Sequence, residues 1–168
     1  MTSNLYTAKM AREIAEEVAI PKLNRLLEAE TDVVHTSVHL VFLDPTVRFG
    51  TGVQFADAIL YQHQNGHPKQ KYVEVSLSKA HVSWATGLPS HEVQQMYPYL
   101  LEDDDTKWGG SAARDFLVIS CSGLPWQYDW SLCDSLITEV QERTRSAMRE
   151  VLGRDSVTFM REFKVLTA

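Results

Sequence analysis

Several functional classes are excluded by what this sequence lacks. It has only two cysteines, Cys121 and Cys133, too few for a disulfide scaffold and without the spacing of a metal motif, so buried reduced thiols are expected. Lys and Arg number 16 against 22 Asp and Glu, a net charge of -6 with no basic run. That balance argues against a nucleic-acid partner, because such proteins concentrate cations on one face. No apolar stretch approaches the length of a membrane span, and the start MTSNLYTAKM lacks the basic and apolar regions of a signal peptide. A cytoplasmic protein with no membrane partner is the expectation. At 168 residues the chain suits a single domain, residues 1–168, around one core.

Catalytic and cofactor motifs are also missing. The segment SCSGL has Ser120 and Leu124 where a nucleophile elbow needs glycines, and those glycines permit its sharp turn. HEVQQ places Gln95 where a zinc helix needs its second histidine. GTG at Gly50 to Gly52 is followed by Phe55 in place of a third glycine, and no phosphate loop is present. The acidic run Glu102 to Asp105 lacks the alternating ligands and the glycine of a calcium loop. No metal site is expected.

What the sequence does contain is periodicity. Ala8, Ala11, Ala15, Val18, Ala19, Leu23, Leu26 and Leu27 recur at helical spacing from Tyr6 to about Glu28, with Pro21 predicting a kink or a restart. In VVHTSVHLVFL, Val34, Val38, Leu40 and Phe42 alternate with His35, Ser37 and His39, the pattern of a half-buried strand. FADAILYQ reads as a second strand, and Asn65-Gly66 as a turn. Val73, Leu77, Ala80 and Trp84 predict one face of a helix over Lys71 to Thr86, stopped by Gly87, with a shorter helix from Pro89-Ser90 to about Leu100. EDDDTKWGG is a polar loop, and DFLVISC an interior strand covered on both faces. Leu132, Leu136, Val140, Ala147 and Val151 stripe a long helix that begins near Asp129 and ends at Gly153. Val157, Phe159, Phe163 and Val165 alternate as a last strand, interrupted by Arg161. This order predicts an α/β (α+β) domain in which helices cover a largely antiparallel sheet.

Two groups of residues invite a functional reading. His35 and His39 on a regular strand stand roughly 13 Å apart, too far to share a metal. His81 and His91 lie near helix ends and are the candidates for a ligand or a general base. Trp126, Tyr128 and Trp130 fall on the link between a core strand and the long helix. They either close the end of the core or line a pocket for a flat ligand.

Four local patterns, in a shared order, resemble the GlcG/HbpS-like family, which includes the carboxy-terminal domain of PduO-type proteins. They read MAREIAEEV at Met10 to Val18, SKAHVSWA at Ser78 to Ala85, WGG at Trp108 to Gly110, and SGLPWQYD at Ser122 to Asp129. The resemblance implies a profilin-like sandwich, frequent assembly into homo-oligomers, and haem or corrinoid handling. The interval GGSAARDFLVISCSG is short for that family, as though a hairpin had been lost. On this basis a small-molecule pocket is expected around Lys79, His81, Trp84, Gly109, Gly110, Ser122, Trp126 and Tyr128, for a planar or hydrophobic ligand. Haem is the cofactor the resemblance implies, with Lys79 facing a carboxylate of the ligand, Trp126 and Tyr128 stacking, and His81 as axial ligand. Two rival readings remain open: a cofactor-independent enzyme using His81 or His91 as general base, and an oligomeric scaffold whose aromatics meet a neighbouring subunit.

Overall fold

A computed structural model describes residues 5–163. The first amphipathic segment folds as α1 (Ala8–Ile14), a π-helical turn (Ala15–Ala19) and α2 (Ile20–Ala29). Thr7 caps α1 by accepting the Met10 N–H at 3.2 Å. Pro21 does not break the chain: the turn before it widens, so that the Ile20 N–H reaches back to the carbonyl of Ala15. A π-turn of this kind absorbs a missing donor without ending the helix.

The remaining elements are β1 (Val38–Leu43), α3 (Phe55–Ala58), β2 (Ile59–Asn65), α4 (Gln70–Thr86), α5 (Ser90–Met96), β3 (Ser111–Arg114), β4 (Leu117–Ser122) and α6 (Trp126–Leu152). The strands form one sheet in the order β2-β1-β4-β3, with every neighbouring pair antiparallel. The mixed, largely antiparallel architecture expected from the sequence is therefore present. No described helix is long and apolar enough to cross a membrane.

One face of the sheet carries Val38, Leu40 and Phe42 of β1 with Ile119 and Cys121 of β4. It packs in one buried cluster with Ile14, Leu23, Leu136, Ile137 and Val140 from the amino-terminal helices and α6. On the opposite face, under α4, Val41, Leu43, Val118 and Ala80 form a much smaller apolar cluster. Leu77, Trp84, Phe55 and Ile59 pack at its margin, and many of the fully buried residues of that layer are polar. His39 and Ser120 of the strands and Ser76, Lys79 and Ser83 of α4 are all buried. The Nδ1 of His39 bonds the Ser76 hydroxyl, Ser120 Oγ donates to the Ser76 carbonyl at 2.7 Å, and the hydroxyls of Ser83 and Ser111 meet at 2.8 Å.

This layer corrects the expected faces. β1 is buried along its whole length, because α4 covers the side that carries His39. Val34 lies outside the strand and is 79% exposed. On α4 the row that is fully buried runs Ser76, Lys79, Ala80, Val82 and Ser83, and Leu77 and Trp84 pack only at its margin. Polar side chains on the strands offer partners to polar side chains on the helix, so hydrogen bonding outweighs apolar periodicity.

Three further expectations differ. The front of the second expected strand, Phe55–Ala58, is a short helix, and the strand proper begins at Ile59. The residues after Gly153 include a 3-10 turn at Met160–Glu162, where a strand was expected, and Arg161 lies over the Phe159 ring at 4.5 Å; Val165 lies outside the described residues. The β3–β4 hairpin is not lost: Arg114 pairs with Leu117 across a two-residue turn. That turn holds Asp115 at φ 52 and Phe116 at φ 69, both left-handed, as a type I′ turn requires.

Side chains other than glycine, and to a lesser extent Asn and Asp, resist this conformation by roughly 1 kcal/mol. The Asp115→Asn/Phe116→Gly double variant is therefore expected to gain a few tenths to about 1 kcal/mol. Part of the gain is offset by loss of the Arg48 guanidinium, which sits 3.9 Å from the Phe116 ring. The denaturant midpoint should rise with an unchanged slope.

Candidate functional site

The site grows from the place where β4 hands over to α6. Gly123 makes that bend at φ 142, and a Cβ there would stand 2.4 Å from the Ser37 carbonyl oxygen. Only glycine permits this approach. Gly110, at φ 123, is equally constrained, since a Cβ would meet Asp129 Cβ at 2.7 Å and Lys79 Nζ at 2.8 Å.

Gly110 leaves room for an ion pair. Lys79, from the middle of α4, donates to Asp129 Oδ2 at 3.0 Å and to the Cys121 carbonyl at 2.8 Å. Asp129 Oδ1 accepts the Leu124 N–H at 3.2 Å. The side chains are only 2% and 1% exposed, so each charge depends on the other. Burial pushes the Asp129 carboxyl up from 3.8 to about 6, against the opposing pull of the Lys79 ammonium. Desolvation thus outweighs pairing. Cys121 and Cys133 lie beside the pair as buried free thiols, and burial drives the Cys121 thiol well above its ordinary value.

Above the pair opens a cavity of about 640 Å³ whose surface is mostly apolar. Lys79, Asp129 and Ser122 form its floor, while Tyr72, Trp108 and Trp126 contribute aromatic wall. His35, Lys69 and Lys71 stand around it. The His35 ring stacks on Tyr72 with centroids 6.2 Å apart, and its buried Nδ1 has no hydrogen-bond partner among the described residues. The amino terminus of α6 also opens here through Pro125, Trp126 and Gln127.

Of the residues singled out from the sequence, Lys79, Gly109, Ser122 and Trp126 line this cavity. Gly110 does not line it but lies against Lys79 and Asp129. The other candidates lie elsewhere. His81 is two residues beyond Lys79, about 200° around the helix, so it turns away and meets Asp105 Oδ1 at 3.2 Å and the edge of Phe55. Trp84 borders a separate groove of about 480 Å³ and donates to the Val47 carbonyl at 2.7 Å. His91 packs behind the wall, stacked on Trp126 at 5.0 Å and edge-on to Trp130 at 5.3 Å. Burial lowers its pKa.

The three aromatics divide for the same rotational reason, since α6 begins at Trp126 and not at Asp129. Trp126 and Trp130, one turn apart, share His91. Tyr128 faces the other way and donates to Glu30 and Asp32, 3.0 Å from each. Its hydroxyl pKa is pushed up to about 12, chiefly by the bond to Asp32. The aromatics are therefore both cap and wall. Sequence reasoning missed His35, Lys69, Lys71, Tyr72 and Trp108 as lining residues. Two of them carried a signal: Tyr72 is seven positions before Lys79 and so on the same helix face, and Trp108 directly precedes Gly109 in the WGG pattern.

Two variants test the pair. Lys79→Met strands a buried carboxylate and is expected to cost about 3–5 kcal/mol of stability. Because the folded Asp129 pKa lies above the unfolded one, its contribution is present at low pH and lost as pH rises from about 3.8 to about 6. Asp129→Asn should remove this slope, so urea midpoints of wild type and variant should diverge across that window and run parallel above it.

No protein-family model, curated protein or solved structure matches this chain.

Proposed function

We propose that the protein binds a small planar or hydrophobic molecule in the cavity above Lys79 and Asp129. The observation that carries this reading is a mostly apolar cavity of about 640 Å³ with aromatic wall and a polar floor, within the size range of small-molecule sites. A flat ligand would stack on Trp126, whose ring is held in place by His91 behind it. Ser122 and the pair below would set orientation.

Haem or another tetrapyrrole is the candidate that the GlcG/HbpS-like resemblance implies, and the side chains present fit it. His35 is the one histidine among the lining residues, and its neighbour Tyr72 steadies the ring. A haem held there would supply redox or oxygen chemistry at its iron. His81, the axial ligand expected from the sequence, stays with Asp105 outside this cavity. A general-base role for His81 or His91 is less well supported, because neither lines the cavity.

Assembly into a homo-oligomer is favoured by one separate feature. Met96, Tyr97, Tyr99 and Leu100, at and after the end of α5, leave large apolar side chains exposed, Tyr99 at 78%. Such patches commonly become interfaces. If so, Tyr99→Glu lowers the mass seen in sedimentation velocity and leaves ligand binding unchanged.

Haem titration is expected to shift the Soret band. The shift should change character in His35→Ala, and affinity should fall roughly three- to tenfold in Trp126→Ala, as expected for loss of one aromatic stack. An unshifted Soret band with haem in excess would remove the tetrapyrrole version.

A further inference from the structure

We infer that the ligand carries an anionic group on its planar body, and that Lys69 and Lys71, not Lys79, recognise it. This inference rests on the binding reading above and adds the charge of the ligand and the residues that select it.

The chain has a net charge of -6, yet the cavity lining holds three lysines against one carboxylate. Lys79 and Asp129 neutralise one another at 3.0 Å, and a second Lys79 donor is engaged by the Cys121 carbonyl. Lys69 and Lys71 remain as the uncompensated charge. Neither belongs to any ion pair among the described residues.

Their position is unfavourable for the fold by itself. Lys69 is the N-cap residue of α4, and Lys71 lies in its first turn, which holds no acidic residue. Cations at a helix amino terminus oppose the dipole by some tenths of a kcal/mol. Here they add to the positive end of α4 at one side of the cavity, on a protein whose overall charge is negative. Tyr72 and Val75, the next lining residues of α4, are partly buried and lead inward. A bound molecule can therefore place a carboxylate, sulfonate or phosphate between the lysines and its ring system against Trp126.

The test compares two fluorescent probes of nearly the same shape, the anion 8-anilinonaphthalene-1-sulfonate and the uncharged N-phenyl-1-naphthylamine, on the folded full chain. Wild type is expected to bind the anion more tightly. The Lys69→Gln/Lys71→Gln variant should lose about tenfold for the anion, the effect of two exposed charge pairs together, and less than about twofold for the neutral probe. Raising salt should weaken only the anion, and Trp126→Ala should weaken both probes, placing them in this cavity. Equal binding of both probes that the double lysine variant leaves unchanged overturns the charge inference and leaves the binding reading standing. Anion binding insensitive to Trp126→Ala places the anion elsewhere and also overturns it. Failure of both probes to bind overturns the two readings together.

Discussion

The buried contact between Lys79 and Asp129 is the constraint from which the rest of the site follows. An ammonium and a carboxylate this deeply buried require each other and a full set of hydrogen bonds. Meeting that demand sets where α4 crosses the sheet, where α6 begins, and why position 110 is a glycine, while Gly123 answers to the close passage of Ser37 and Val38. The Cys121 carbonyl and the Leu124 amide, at the end of β4 and just after it, complete the pair's bonding. Two helices on opposite faces of the sheet are thereby joined through the end of one strand. The cavity lies directly above that junction.

The two faces of the sheet are held by different forces. Toward α6 the packing is apolar and continuous, and burial of hydrocarbon supplies its stability. Toward α4 the layer consists largely of serines, one histidine and the lysine, linked by short hydrogen bonds. Small side chains let α4 lie close to the strands, and beside them the Ser111 hydroxyl accepts the Ser90 N–H and the Ser90 hydroxyl accepts the Ser111 N–H, so that both buried amides have partners. A polar layer of this kind fixes one register of helix on sheet, because a shift breaks several bonds together. That rigidity suits a cavity floor.

The charge around the cavity differs from that of the molecule as a whole. Acidic residues dominate the chain, but the lysines at the start of α4 form no ion pair among the described residues, and Tyr128 on the far side of α6 is held by Glu30 and Asp32. The same first turn of α6 therefore presents Trp126 to the cavity and anchors Tyr128 to an acidic segment.

Much of the fold was legible in the amino-acid sequence. The helices over Ala8 to Ala29 and Gln70 to Thr86, the long helix up to Leu152 though not its start at Trp126, and the interior strand at Leu117 to Ser122 follow from apolar periodicity and glycine stops, which are local properties of the chain. The antiparallel, helix-covered arrangement followed from their order. The β3–β4 hairpin was hidden because Asp115 and Phe116 are poor signals for a left-handed turn. Lys79, Gly109, Ser122 and Trp126 were named from the sequence and line the cavity, and Trp108 adjoins Gly109 in the same WGG pattern, but His35 and Lys69 come from segments whose closeness no local pattern encodes. The face that α4 presents was also decided only in three dimensions: its polar row bonds to strand residues far away in the chain, and those partners exist only once the sheet has formed.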